Sequence, residues 1–141
     1  MNTKQVGSVT ELECITYFMK LGYNVSIPFG ENSKYDFILD VGNKLLKIQC
    51  KTCRAGRTYN SIVISAQSHH KNSISNKVAN YSVTDIDYFA TFYQDNCYLI
   101  PVEICLSSYK QFNLGHTKNN QTKNVNFLYD YDAKQILNML P

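Results

Sequence analysis

The chain has 141 residues and a net charge of +3, and its 44% hydrophobic and 18% charged residues are typical of a globular domain, not of a disordered segment. It lacks both the apolar run of about 18 residues that a membrane-spanning helix needs and the apolar stretch of a secretory signal. We therefore expect a single domain over residues 1–141 in the cytoplasm, and the odd number of five cysteines indicates reduced thiols without a disulfide framework.

The N-terminal segment predicts a helix over about residues 4–21. Gly22 directly follows the periodic pattern and is expected to end the helix, because glycine readily adopts the left-handed conformation that closes many helices. The apolar residues of the segment recur with helical spacing and form a stripe that is expected to be buried: Val9, Leu12, Ile15, Phe18 and Met19.

Glu11 is an acidic residue close to this apolar stripe. At about 100° per residue it lies within about 40° of Ile15 and about 20° of Phe18, so it is expected to point toward the core. A carboxylate in that position is costly unless a cation meets it, and a metal ion or Lys51 would do so. The alternative is an acid near the helix start that interacts with the helix dipole.

The rest of the chain predicts strands and one more helix. A polar stretch at residues 116–126 predicts a loop, and residues 132–140 predict a final amphipathic helix. This order predicts an α/β fold with a mixed β-sheet core flanked by helices. Six strands are predicted, the last two joined by a turn at residues 94–96: residues 23–27, 35–40, 44–51, 61–66, 86–93 and 97–102.

Two of these strands form a hairpin about Gly42 and Asn43, a pair suited to the positive φ values of a tight turn. Folding the hairpin about that turn places Asp36 opposite Gln49, with Cβ atoms about 4.5–5.5 Å apart on the same face. Lys51 projects from the same face roughly 6.8 Å further along the strand. The hairpin alone therefore predicts that a carboxylate, an amide and an ammonium group converge.

Such a cluster suits the hydrolysis of a phosphodiester. Mg²⁺ binds oxygen ligands and keeps several waters. Asp36 would supply a charged oxygen, the Gln49 side chain and the Cys50 backbone carbonyl two neutral ones, and Glu11 a further carboxylate. Lys51 would orient the attacking water or neutralise developing charge. The alternative is an exposed strand pair in which the Asp and the Lys form a surface ion pair.

The positive charge is concentrated in two segments without acidic residues, 41–84 and 104–129. If the fold gathers these segments on one side, a polyanion is the expected partner. The alternative is that the basic residues only solvate the surface. Seven basic residues lie in the first segment and three in the second: Lys44, Lys47, Lys51, Arg54, Arg57, Lys71 and Lys77, then Lys110, Lys118 and Lys123.

Glu11 on a first helix, Asp36 opening a strand and the Gln49-Cys50-Lys51 tripeptide closing the next strand resemble the PD-(D/E)-x-K nuclease superfamily. Their spacing is similar to that of archaeal Holliday-junction resolvases. More of the chain, residues 3–103, resembles the cyanobacterial group I intron-encoded homing endonucleases of this class. Five stretches support that second resemblance: residues 22–30, 32–36, 49–52, 87–90 and 98–102.

The resemblance implies a restriction-endonuclease-like fold and site-specific cleavage of double-stranded DNA with Mg²⁺ or another divalent cation such as Mn²⁺. It also implies a homo-oligomer, a dimer or a tetramer, without a membrane or a small-molecule cofactor. The chain departs from the usual motif in having Gln49 instead of Asp or Glu, and Tyr35 instead of Pro before Asp36. A neutral amide binds Mg²⁺ less tightly than a carboxylate, so Gln49 puts the metal affinity in question.

Nine residues are candidates for contact with DNA, although each is also an ordinary surface residue: Ser33, Lys34, Arg54, Arg57, Tyr59, His69, His70, Lys71 and Lys77. Two other functions stay open: a Holliday-junction resolvase-like, structure-specific nuclease, and a DNA-binding module that has lost cleavage. Cys50 and Cys53 match the spacing of a redox pair, but they close a strand and do not open a helix, which argues against a redox role.

Overall fold

The computed structural model describes residues 1–71, 76–105, 107–117 and 119–141, with the backbone alone for 69–71 and 76–77. Helix α1 (Thr3–Lys20) begins at a capping box in which the Asn2 and Gln5 side chains each accept a hydrogen bond from the other residue's backbone N–H. It ends where Gly22 takes a φ of +92°, a value that favours glycine. The predicted first helix and its stop signal are therefore confirmed.

The predicted buried stripe of α1 is wrong in part. The helix buries Thr10, Cys14 and Phe18, whereas Leu12 and Met19 are 63% and 60% exposed and Val9 is exposed as well. Of the five residues in the predicted stripe, Phe18 is buried and Ile15 is partly buried. The small side chains of Thr10 and Cys14 lie where the helix approaches the sheet. Close packing at this contact therefore requires side chains that are small as well as side chains that are apolar.

Ten strands lie in the described residues: β1 (Asn24–Ser26), β2 (Phe37–Asp40), β3 (Leu45–Cys50), β4 (Arg54–Ala55), β5 (Ser61–Ser65), β6 (Gln67–Lys71), β7 (Asn76–Asn80), β8 (Tyr88–Tyr93), β9 (Asn96–Pro101) and β10 (Tyr109–Asn113). The six predicted strands are confirmed within a few residues at each end. The prediction missed β4, β6, β7 and β10, because their mixed or largely polar residues lack a clear alternation.

Five strands form a mixed sheet in the order β1-β2-β3-β8-β9, in which only the β3–β8 pair is parallel. The β2–β3 hairpin pairs Phe37 with Ile48, and Gly42 in its turn has a φ of +98°, so the predicted register is confirmed. The β8–β9 hairpin turns through Gln94 and Asp95, both at positive φ, as a two-residue turn requires.

Two layers cover this five-stranded sheet. Helix α1 and the C-terminal helix α2 (Ala133–Asn138) pack on one face, where the core includes Phe18, Phe37 and Leu137. A second sheet, ordered β10-β5-β4, packs on the other face around Phe89 and Phe112. The α/β class with a mixed sheet is therefore confirmed, but the helices flank one face only.

The remaining elements are short. Strands β6 and β7 pair as a separate two-stranded ribbon, and two 3₁₀ helices span Val102–Ile104 and Leu128–Tyr131. Helix α2 begins one residue later than predicted because Asp132 caps its N-terminus by accepting a hydrogen bond from the Gln135 N–H, and it ends at Asn138, two residues early. Within the described residues, neither helix has the length and apolarity needed to cross a bilayer.

Candidate active site

The β2–β3 hairpin fixes Asp36 at both its backbone and its side chain. The Asp36 N–H donates to the Ile48 carbonyl at 2.8 Å, and its carboxylate Oδ2 accepts from the Cys50 N–H at 2.7 Å. The paired register ends at Phe37 and Ile48, and Asp36 lies just beyond it, with its N–H directed at the carbonyl of the residue that pairs with Phe37. The carboxylate is thus held against the end of β3, one residue before Lys51.

The Asp36 carboxyl is partly buried, and burial is the main reason why its pKa is raised above the usual value for aspartate. The Cys50 N–H and the positive charge of Lys51 act in the opposite direction, but they do not offset the burial. The negative charge of Asp36 is therefore only partly compensated by the chain itself. A bound cation would complete the compensation.

Glu11 reaches the same region from α1. Burial raises the pKa of its carboxyl, and the nearby Asp36 carboxylate and Cys14 side chain raise it further. Glu11 and Asp36 line one cleft of about 200 Å³, whose other walls come from the loop after β1: Ile27, Pro28, Gly30, Glu31, Ser33 and Tyr35. Because Glu11 lies beyond the first turn of α1, which carries no acidic residue, the helix-dipole alternative is excluded.

A polar contact that the sequence did not predict holds the helix in place. The Thr10 and Thr52 hydroxyls form a hydrogen bond of 2.9 Å, and Thr10 is only 7% exposed. Thr10 precedes Glu11, and Thr52 follows Lys51, so this bond joins the two segments that carry the site. The sequence gives one indication of this contact, which is that the polar residue Thr10 lies next to Glu11 on the buried side of the helix.

Gln49 and the Cys50 backbone carbonyl lie together, since Gln49 Nε2 is 3.4 Å from that oxygen. The Cys50 side chain points the other way, into the core against the helices. Cys53 packs between the two sheets and donates its thiol hydrogen to the Phe92 carbonyl at 3.6 Å. Cys50 and Cys53 thus pack against different hydrophobic cores, and this arrangement argues against a redox pair.

Lys51 has an ordered environment that the sequence only partly indicated. Its Nζ donates to the Gln67 carbonyl at 2.8 Å and lies 5.1 Å from the centre of the Tyr81 ring. Burial lowers the pKa of Lys51, and the opposite charge of Asp36 raises it to a smaller extent. Lys51 is therefore a cation held in a partly desolvated position close to the Asp36 carboxylate.

The surface ion-pair alternative for Asp36 and Lys51 fails. In the described ranges the salt bridge is the one between Lys34 and Asp85, at 3.6 Å, and Asp36 instead accepts from a backbone N–H while Lys51 donates to a backbone carbonyl. Each charged group is anchored separately by the main chain.

The donor set fits a hard divalent cation better than a transition metal. In the part of the chain that the structure describes, no three His, Cys, Asp or Glu side chains are grouped to hold a metal ion. Glu11 and Asp36 line the cleft with two carboxylates, whereas Gln49 and Cys50 do not line it, and Gln49 Nε2 donates to the Cys50 carbonyl at 3.4 Å. Mg²⁺ is usually bound through one or two carboxylates and several waters, so this set suffices.

The nine candidate DNA contacts do not form one cluster. Ser33 lies on the wall of the cleft, and Lys34 is held by Asp85. Arg54, Arg57 and Tyr59 are exposed at the three-stranded sheet. The other four candidates lie on the β6–β7 ribbon, and their side chains are outside the described residues: His69, His70, Lys71 and Lys77.

Comparison with known proteins gives one family and one informative structure. Among solved structures, a bacterial homing endonuclease, I-Ssp6803I, matches with a TM-score of 0.77 and 23% identity, over 99% of this chain and 94% of that chain. At that identity the likeness establishes the fold. Comparison with functionally curated proteins gives no match. The family model described as PD-(D/E)XK endonuclease matches residues 1–134, and the chain therefore belongs to the PD-(D/E)XK endonuclease family.

Proposed function

We propose that the chain is a site-specific endonuclease of the homing type, which hydrolyses phosphodiester bonds of double-stranded DNA with Mg²⁺ or Mn²⁺. One observation carries the proposal: two partly buried carboxylates, Glu11 and Asp36, share a cleft beside the ordered ammonium of Lys51. Two acids with raised pKa values are unfavourable together unless a cation joins them. The family match supports phosphodiester hydrolysis as the reaction.

Glu11, Asp36, Gln49 and the Cys50 carbonyl would hold the ion. When bound, the ion polarises the phosphate and lowers the pKa of the attacking water. Asp36 is kept in place by the Cys50 N–H, so its second carboxylate oxygen, Oδ1, remains for coordination. The hydrogen bond between Thr10 and Thr52 would hold the helix segment that carries Glu11 against the segment that carries Lys51.

Lys51 would serve the nucleophile and the charge that develops in the transition state. An ammonium group has three donors, of which one is used by the Gln67 carbonyl. The other two can reach a phosphate oxygen or the attacking water. Fixing the ammonium with a main-chain carbonyl and the Tyr81 ring keeps its reorganisation small, which is how preorganised charges contribute to catalysis.

Cutting both strands needs two such sites, and each chain has one. A homo-oligomer with two-fold symmetry, a dimer or a tetramer, would place one site at each strand. The nine candidate DNA contacts would then bind the backbone and the bases on either side of the cut. Lys34 would have to exchange its contact with Asp85 for one with a phosphate.

A nicking assay tests the proposal. Supercoiled plasmid and linear duplex carrying a selected site are incubated with the protein in Mg²⁺ and in EDTA, and four-way junctions are added as a third substrate. We expect cleavage of duplex DNA in Mg²⁺ only. Cleavage confined to junctions would favour the resolvase-like alternative, and binding without cleavage would favour a DNA-binding module in which Gln49 marks the loss.

Glu11→Gln and its control Glu13→Gln sharpen this assay. Glu13 is an exposed acid two residues further along the same helix. Removing the Glu11 charge should lower cleavage about 10-fold or more, whereas Glu13→Gln should cut like the wild type. Equal activity in the two variants would exclude Glu11 from the site.

A further inference from the structure

The three-stranded sheet collects the two acid-free segments of the chain. Strands β4 and β5 come from the first segment, residues 41–84, and β10 comes from the second, residues 104–129. No carboxylate therefore belongs to any strand of this sheet, although the strands are distant in the sequence. The fold therefore brings the two basic segments, which are separate in the sequence, together in one sheet.

The outer face of this sheet is mostly polar around the half-buried Val63 of β5. Phe112 on β10 points into the core between the sheets, so its neighbours Tyr109, Gln111 and Asn113 point outward by the alternation of a strand. Across the sheet, Gln111 pairs with Val63, and Val63 pairs in turn with Arg54. The face thus carries an aromatic ring, two amides and a guanidinium.

Two of these side chains are already held in defined positions. The guanidinium of Arg54 stacks on the Tyr109 ring at 5.0 Å from its centre. Gln111 Nε2 donates to the Thr58 hydroxyl at 2.7 Å, which leaves one amide hydrogen and the carbonyl oxygen of Gln111 for a ligand. With Arg57, these residues line an open depression of about 370 Å³ on the outer face.

We propose that this outer face lies in the major groove of DNA and reads base edges, with Gln111 and Arg54 as the main specificity-determining residues. The proposal rests on duplex DNA being the substrate, as stated above. Gln pairs with adenine through one acceptor and one donor, and Arg pairs with guanine through two donors. The groups that Gln111 and Arg54 present match those two bases.

The dimensions agree with this assignment. Neighbouring strands lie about 5 Å apart, so the three strands β10, β5 and β4 span about 10 Å between the outer strand axes, which is comparable with the major-groove width of about 12 Å. Outward side chains recur about 6.8 Å apart along a strand, which is about two base-pair steps. Successive outward residues of β10 would therefore face different base pairs.

The reading face also lies close to the chemistry. Arg54 follows Lys51 by three residues, which limits the distance between their Cα atoms to about 11 Å. Arg54 would therefore read base pairs near the cut phosphate, since the rise is about 3.4 Å per base pair.

Selection of binding sites from a random duplex library, in buffer without divalent ions, tests the inference independently of cleavage. We expect the wild type to enrich a defined sequence. Gln111→Ala should lose preference at one or two adjacent positions by about 10-fold or more and keep the rest. The matched control is Gln135→Ala, the same change at an exposed residue of α2 on the opposite side of the molecule.

Gln111→Glu is the control for a local change in shape, because it keeps the size of the side chain. A carboxylate accepts from cytosine and lacks the donor that adenine needs, so the preferred base at that position should change. Identical enriched sequences for the wild type and both Gln111 variants, or no enrichment by the wild type, would overturn the inference. A wild type that enriches a sequence but fails to cut it in Mg²⁺ would sink the nuclease proposal and leave the reading face standing.

Discussion

Replacing Lys51 with Met should separate activity from stability. Met keeps most of the apolar stem and removes the ammonium, which loses its contacts with the Gln67 carbonyl and the Tyr81 ring. Removal of one preorganised charged donor typically lowers the rate of the chemical step by about 10²–10³-fold. DNA affinity should change little, because a single phosphate contact is lost at most.

Lys51→Met should lower the activity without lowering the free energy of unfolding. The pKa of Lys51 is lowered chiefly by burial, so the folded state disfavours the charged ammonium despite the attraction of Asp36. The lost hydrogen bond to Gln67 is partly replaced by water, since Gln67 is only half-buried. Lys51→Met should therefore be at least as stable as the wild type, as is common when a charged group is kept for function.

Lys47→Met is the matched control. Lys47 lies on β3, the strand that ends one residue before Lys51, and its Nζ donates to a backbone carbonyl, that of Thr84, at 2.7 Å. Single-turnover cleavage and thermal unfolding are measured for both variants. Cleavage by Lys51→Met within threefold of Lys47→Met would refute the catalytic role. A loss of more than about 4 °C in melting temperature, equivalent to roughly 1 kcal/mol, would show that Lys51 is structural.

Three further predictions follow from the site and the core. Thr10→Val should destabilise the fold by about 1 kcal/mol in denaturant unfolding and raise the Mg²⁺ concentration needed for cleavage, because it removes the bond to Thr52; an unchanged Mg²⁺ dependence would limit that bond to stability. Gln49→Glu should lower the half-saturating Mg²⁺ concentration, since it adds a charged ligand; a higher value would mean that repulsion from Asp36 prevails. Phe112→Ala should cost about 3–5 kcal/mol, because the ring is fully buried between the sheets, and a loss below 1 kcal/mol would contradict that packing.

The sequence predicted those elements of the structure that depend on residues close together in the chain. The hairpin from Asp36 to Lys51 turns at a glycine with positive φ, and period-two alternation then fixes which side chains share a face. The predicted pairing of Asp36 with Gln49 lies one step beyond the observed ladder, which ends at Phe37 and Ile48. The start and the end of α1 are also local, because a capping box and Gly22 act within a few residues.

The contacts that depend on tertiary packing were not accessible in this way. Leu12 has the spacing of a core residue, yet it is exposed, because the sheet meets α1 along Thr10 and Cys14. The Lys51 environment includes Tyr81, which is distant in sequence and reaches the site only through the packing of the sheets. Strand β10 was missed since its outward residues are polar, and its place beside β5 is a long-range pairing.

The most direct test of the account is the position of the cation itself. Substoichiometric Mn²⁺ is added to isotopically labelled protein, and the loss of backbone amide signals is followed residue by residue. The amides of Glu11, Asp36 and Cys50 should broaden first, and Asp36→Asn should abolish this pattern while Glu13→Gln preserves it. Broadening centred elsewhere, or a pattern unchanged in Asp36→Asn, would contradict the claim that the hairpin and the first helix together form a metal site.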